Sequence, residues 1–457
     1  MSHTRLMDDA SPTAESEGGV GARRSARLVL WIAVLLPFIY TTAKTASELS
    51  GGGSVGAMEM VRGGGPVLLL AVSAMLTPVV RRGFGAPEVF LAAYGFVILA
   101  SYLNPLNPSA QASLLKSITL VFSFLVMIRL VRIYRSPTEV VVALIGLVHV
   151  ILLCGLVQVA LFKSTVYQVG ADTIDGLPRL NLVVPSVSAN PLAMLGVLGI
   201  LSCALGVAPR WLHFNVAIRN ALMLIYAYEI FLTRTRSALA VGLVIVVVSL
   251  IVRARRHPLS SIVTGIVAVT AAFLLSPSLS SQLHVFLERG QTAQGIDTLS
   301  GRTVIWEAAH QTWLQHQWFG LGFYSGHRLG ISGLQENQSN IDNTWLETLV
   351  DVGILGLVPL ALFVLTGFWR LIRSRELHGD VRLWAIGASL YAIAISFVNP
   401  TIQQPGPGSV VLGVLLLAMG PKPDAATDTD TGDDRVRNAS ESVSDGAGVT
   451  AAGRWLS

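Results

Sequence analysis

Apolar runs separated by short basic exits constrain this chain more than any other feature of it. The runs lie near 28–42, 65–80, 86–103, 113–131, 138–162, 191–207, 214–232, 237–252, 258–276, 345–367, 383–398 and 408–420. A helix that crosses a bilayer needs about 20 apolar residues, so these read as about twelve membrane-spanning helices. Only 13% of the 457 residues are charged, where a soluble domain carries about 25%. That deficit excludes an ordinary soluble enzyme, and it excludes disorder as the dominant state.

The basic residues fall on alternate exits. Arg81 and Arg82 follow the second run, and Arg129, Arg132 and Arg135 close the fourth. Arg210 follows the sixth, Arg253, Arg255 and Arg256 the eighth, and Arg370, Arg373 and Arg375 the tenth. The positive-inside rule then predicts these exits, and both termini, in the cytoplasm. The net charge of +5 therefore reads as orientation in a membrane rather than as nucleic-acid binding. Residues 1–27 are expected to be a disordered cytoplasmic arm ahead of an uncleaved signal anchor. Residues 28–420 form the polytopic membrane domain, and 421–457, rich in Asp, Thr, Ser and Gly, a disordered cytoplasmic tail. The expected fold is an all-α integral membrane protein with a large, partly helical outer loop, about 277–344, between spans nine and ten. Cys154 and Cys203 lie inside apolar runs and read as packing residues.

The same rule predicts few arginines outside, yet Arg179, Arg234, Arg236, Arg289, Arg302 and Arg328 fall there. Arg234 and Arg236 flank a turn at the membrane surface, where snorkelling to lipid headgroups is one explanation. The other is an anionic ligand. A guanidinium fork matches phosphate oxygens bidentately, and several forks converging on one pocket would suit a diphosphate. Lys116 and Glu229 sit near the outer ends of spans four and seven, close enough to the interface to snorkel. Glu229 could equally pair with an arginine of the following turn.

From Arg302 to about His316, Ile305, Ala309 and Trp313 recur at helical spacing. This predicts an amphipathic surface helix with Ser300 as cap and Arg302 in its first turn, an arrangement suited to an anion. Gly320 and Gly322 follow no strand and open no helix, so they mark a tight turn rather than a dinucleotide fold. Asp342, just before span ten, has two readings. It is the N-cap of that helix, or it is a carboxylate at the membrane surface acting as general base. His284, His310, His316 and His327 show no metal-ligand spacing, so no metal is expected. No nucleotide-binding signature is present, and no cofactor is expected. Asn337-Gln338-Ser339 fits a glycosylation acceptor, a pattern that often arises by chance.

Four segments together resemble the bacterial O-antigen ligase and O-antigen polymerase superfamily. They are Arg179 with Ser188-Ala189-Asn190-Pro191; Leu232-Thr233-Arg234-Thr235-Arg236-Ser237-Ala238; Ser300-Gly301-Arg302 with Trp306, Gly320 and Gly322; and Asn343 with Leu346, Gly353 and Gly356. The likeness covers roughly 170–370. It implies a membrane glycosyltransferase that takes a polyprenyl-diphosphate-linked glycan at the outer face of the bacterial inner membrane. Transfer is to an acceptor hydroxyl, without nucleotide sugar, cofactor or metal. By the same resemblance Arg236 and Arg302 stabilise the leaving diphosphate, with Arg179 third. Arg234, Asn190, Asn343 and Lys116 are the further substrate-binding candidates, and Asp342 is the candidate base. Ligases of the family place a histidine immediately before the matching Asn, where this chain has Asp342. A carboxylate serves if its pKa is raised, whereas neighbouring arginines lower it. The change favours a polymerase joining lipid-linked repeat units. Ligase-like transfer to a surface acceptor is the alternative in the same class. A transporter or lipid-sugar flippase is the alternative in another, and it would place charges near mid-span. Expected partners are the lipid-linked glycan, membrane lipid, and a chain-length regulator or envelope assembly complex, with no nucleic acid.

Overall fold

The computed structural model describes residues 85–108, 110–133, 136–168, 178–183, 186–207, 215–255, 302–324, 326, 331, 341–403 and 406–419. The arm, the tail and the runs at 28–42, 65–80 and 258–276 lie outside these, as do Arg289, Ser300, Arg328 and Asn337.

The nine other expected runs fall on helices. These are α1 (Ala86–Ala100, extended by a 3-10 turn at Ser101–Leu103), α2 (Ala110–Ile133), α3 (Pro137–Val166), α4 (Ala189–Leu205), α5 (Val216–Thr233), α6 (Arg236–Ala254), α8 (Thr344–Arg373), α9 (Gly379–Ile395) and α10 (Pro407–Leu417). The surface helix expected from Arg302 is α7 (Arg302–Gln315). Six helices among the described residues are long and apolar enough to cross a membrane: α1 with its 3-10 extension, α2, α3, α5, α6 and α8. The segment between α3 and α4 contains two short antiparallel ladders. Tyr167–Gln168 (β1) pairs with Arg179–Leu180 (β2), and Leu182–Val183 (β3) with Ser186–Val187 (β4).

Burial explains why some spans are short. All of α10 and nearly all of α4 are buried, whereas only 28% of the best windows of α5 and α6 is covered by protein. Two short helices, α4 and α10, therefore lie in the interior, and α5 and α6 at its edge. Small residues permit close packing of α4, as is usual between membrane helices. Gly196 faces Ile230 of α5, Gly199 faces Tyr226 of α5 and Leu152 of α3, and Gly242 of α6 receives Val197. Within this core His149 of α3 lies 2.8 Å from both the Tyr226 hydroxyl and Ser202 Oγ of α4, and Ser202 donates to the Gly199 carbonyl. A neutral imidazole protonated at Nε2 satisfies all three groups: Tyr226 donates to Nδ1, and Nε2 donates to Ser202.

The two ends of the bundle differ in chemistry. At one end Arg253 of α6 meets Asp380 of α9 at 3.5 Å and donates to the Ala204 carbonyl at the end of α4. At the same end Arg370 of α8 meets Glu88 of α1 at 3.7 Å. Cationic side chains at helix C-termini oppose the negative end of the helix dipole. The other end holds the β1–β4 segment, the α5–α6 turn, α7 and the start of α8. The candidate site is at this end.

Candidate active site

Asp342 precedes α8 with φ 51, a left-handed conformation uncommon for a residue with a side chain. It does not cap the helix. Asn343 does, its Oδ1 accepting from Trp345 N at 3.0 Å and Leu346 N at 3.1 Å. The cap reading of Asp342 is therefore corrected by one residue, and the physical reason is visible. A cap needs extended backbone, which Asn343 has (φ −151, ψ 107), whereas the left-handed turn at Asp342 directs its carboxylate elsewhere.

That carboxylate meets Arg302. Nη2 of Arg302 donates to Asp342 Oδ2 at 3.0 Å, and the two side chains are 25% and 27% exposed. The pair is thus accessible from outside the protein. Arg302 is the first residue of α7, where main-chain N–H groups are left over by the helix pattern. Trp306, one turn on, donates its indole N–H to the Ile341 carbonyl at 2.7 Å and ties α7 to the chain entering α8.

A second tie runs from α7 into α8 itself. Gly353, the tenth residue of α8, has φ 64 and interrupts the helix. The segment after α7 fills the interruption. Leu321 N donates to Val350 O at 2.9 Å and Gly322 N to Asp351 O at 2.8 Å. Ile354 N donates to Gln317 O at 2.8 Å and Leu355 N to Trp318 O at 3.3 Å. The groups of two ordinary helix bonds are thus each given a partner in the loop. Gly320 and Gly322, expected as a simple tight turn, lie in this pairing, with φ 63 and 116. A side chain at Gly353 would run into the carbonyl of Trp318.

The arginine turn is built next to α4. Arg234 ends α5 in the left-handed conformation (φ 54), and its Nη2 reaches the Tyr167 hydroxyl of β1 at 3.4 Å. Arg179, on β2, pairs in register with Gln168 on β1. Arg236 opens α6. Thr235, between the two arginines, donates from Oγ1 to Asn190 Oδ1 at 3.1 Å, and Asn190 Nδ2 donates to Asn399 Oδ1 at 3.1 Å. Thr344 Oγ1 donates to the Asn399 carbonyl at 3.0 Å and accepts from Thr401 N at 2.8 Å. Thr344 N donates to the Ser396 carbonyl at 2.9 Å, and the Trp345 indole donates to Ser396 Oγ at 2.9 Å. One hydrogen-bonded network therefore joins Asn190, the arginine turn and the first turn of α8.

Lys116 of α2 reaches the same region by another route. Its ammonium lies 5.2 Å from the centre of the Tyr324 ring, within cation–π range. Tyr324, at φ 64, donates its backbone N–H to Asp351 Oδ2 at 2.8 Å. Glu229, expected to snorkel or to pair with a neighbouring arginine, is 1% exposed beneath Leu182 and Gly155, and neither carboxyl oxygen has a hydrogen-bond partner among the described residues. Sequence reasoning missed Thr344, Ser396, Asn399 and Gln403. With its amide oriented to suit its neighbours, Gln403 donates to both carboxylate oxygens of Glu347 at 3.0 and 3.1 Å and accepts from Thr348. The available signal was a polar Asn399-Pro400-Thr401 between two apolar runs, on the side already expected to hold the site.

Helices long enough to span a membrane, with a partly exposed arginine–carboxylate pair at one end, define a polytopic membrane protein with a polar site built on helix ends. Residues 221–361 match the family described as O-antigen ligase, which supports the resemblance to the O-antigen ligase and polymerase superfamily. The match includes Arg234, Arg236, Arg302, Asp342 and Asn343, and leaves Lys116, Arg179, Asn190 and Asn399 outside it. No curated protein matches the chain.

Proposed function

We propose that this protein is a membrane glycosyltransferase that joins polyprenyl-diphosphate-linked oligosaccharide units at the outer face of the bacterial inner membrane. The observation that carries the reading is the accessible Arg302–Asp342 pair, held at 3.0 Å by a left-handed residue released from capping. The family match over 221–361 supports glycosyl transfer. The basic exits support a cytoplasmic position for the opposite end and for both termini.

The residues divide the chemistry as follows. The Asp342 carboxylate accepts the proton of the acceptor hydroxyl, whose oxygen bonds to the anomeric carbon of the donor. The bond from that carbon to the diphosphate oxygen breaks, and the electron pair leaves on the diphosphate. Arg302 and Arg236, with Arg179, stabilise the charge that grows there. Arg302 holds Asp342 through one Nη, and the guanidinium fork has further donors for phosphate oxygens. Arg234, Asn190, Asn343 and Lys116 bind or frame the substrate. The reaction as written uses no metal or cofactor. A chain-length regulator or assembly complex would act beside it.

The test is a reconstitution of purified protein with diphosphate-linked glycan lipids from its host, products being separated on a gel. A ladder of lengthening lipid-linked chains is expected. Arg302→Ala and Arg236→Ala should each abolish it while the protein stays folded in the membrane. Wild-type ladders from both variants would remove the diphosphate clamp. The family match favours one second reading, ligase-like transfer to a surface acceptor. In that case donor is consumed only when a separate acceptor is supplied.

A further inference from the structure

We propose that Asn399 is a positioning residue for glycan transfer, fixing the spacing between the arginine turn and the first turn of α8; the inference rests on the function proposed above. Asn399 is 7% exposed, so it acts through its neighbours rather than on substrate. Its side chain and main chain serve different halves of the site. Oδ1 accepts from Asn190, whose own Oδ1 accepts from Thr235 between Arg234 and Arg236. The carbonyl accepts from Thr344, which is two residues after Asp342.

The segment around it is built to hold this position. Pro400 disfavours helical geometry at the preceding residue, so α9 cannot continue through Asn399. Ser396 fixes the same turn of α8 from the other side, through Thr344 N and the Trp345 indole. Gln403 holds Glu347 one turn further along α8. Each tie joins the α9–α10 connection to α4 or α8. In the proposed reaction, Arg236 of the arginine turn meets the donor's diphosphate from one side, and Arg302 with Asp342, beside the start of α8, meets the diphosphate and the attacking hydroxyl from the other. A shift between these halves leaves each able to bind and removes the alignment needed for attack.

The test pairs kinetics with a distance. Two spin labels are placed at exposed Leu239 of α6 and Leu355 of α8, with Cys154 and Cys203 replaced by Ala. In Asn399→Ala the distance distribution should broaden, and kcat per folded protein should fall by about tenfold to a hundredfold. KM for the lipid-linked donor should change little. Asn399→Asp keeps an acceptor oxygen for Asn190 and should restore both the narrow distribution and most of kcat. Thr344→Val leaves the side-chain bond intact, breaks the tie to the Asn399 carbonyl, and should lower kcat in the same way. If Asn399→Ala fails to fold, Thr344→Val decides. An unchanged distribution with unchanged kcat in whichever variant folds overturns the inference. An inactive wild-type protein would overturn the glycosyl-transfer reading alone, because the distance measurement still tests the positioning.

Discussion

Arg234, Tyr324 and Asp342 are the non-glycine residues with positive φ among the described residues, and all three lie at the same end of the bundle. Each costs about 1–2 kcal/mol relative to ordinary backbone. Such strain persists where a side chain is needed at a position that glycine would occupy more cheaply, and it gathers at functional sites. Asp342→Asn isolates the charge, because Asn also tolerates the left-handed region. Its rate in the reconstituted assay should fall by about a hundredfold or more, the usual contribution of a general base. Its thermal unfolding should be unchanged. Full activity would leave Asp342 only the role of ion-pair partner. Asn343→Ala should affect stability: loss of a cap bonded to two N–H groups should lower it by about 1 kcal/mol. Asn343→Asp, which caps equally well, should not.

At the scale of elements, α8 and the segment after α7 form one hydrogen-bonded unit around Gly353. Gly353→Ala should therefore do more than strain one residue, since its methyl group meets the Trp318 carbonyl. The loss of stability should exceed that of Gly379→Ala, where φ is also positive but nothing lies within 4 Å. Thermal unfolding in detergent compares the two, and limited proteolysis after α7 should detect release of the segment in the first variant only. The α3–α4–α5 core offers another test. His149→Leu leaves the Tyr226 and Ser202 hydroxyls without the imidazole between them. It should cost about 1–3 kcal/mol for the buried polar groups left behind. Tyr226→Phe, which removes one hydroxyl and keeps the ring, should cost less. Equal melting temperatures for these variants and wild type would mean that the triad contributes nothing to the packing of the three helices.

For the whole molecule, the sequence made the membrane class and most helix positions legible, because a span needs only length and hydropathy. Its arginines predicted which exits share an end, and it named Arg302 and Asp342 as candidates, which the structure places 3.0 Å apart. It did not reveal that α4 and α10 are interior helices, since hydropathy does not distinguish protein from lipid as the neighbour. His149 went unnoticed for a related reason. One polar residue in an apolar run shows its partners only when helices far apart in sequence are packed. Asn399 was hidden because its value lies in bonds to Asn190 and Thr344, 209 and 55 residues away. The orientation proposed for the bundle has its own test. Cysteines introduced at exposed Gln311 and His378 should react with an impermeant maleimide from opposite sides of the membrane, Gln311 from outside. Labelling of both from one side would overturn that orientation.

The stitching of the loop into α8 has a consequence for traffic through the site. The exit of α7 is anchored about 14 Å along the membrane helix from Thr344, by backbone bonds on both sides of the break. Its entry, at Arg302, is held beside Asp342 by an ion pair and near it by one indole bond, while Ile305 and Ala309 pack with Ile341 and Val350 in an apolar cluster. The exit of α7 is therefore tied to α8 by backbone, and its arginine end by side chains alone. Arg302 both holds Asp342 and, in the proposed reaction, stabilises the leaving group, so a donor diphosphate that draws it from Asp342 would free the base in the same movement.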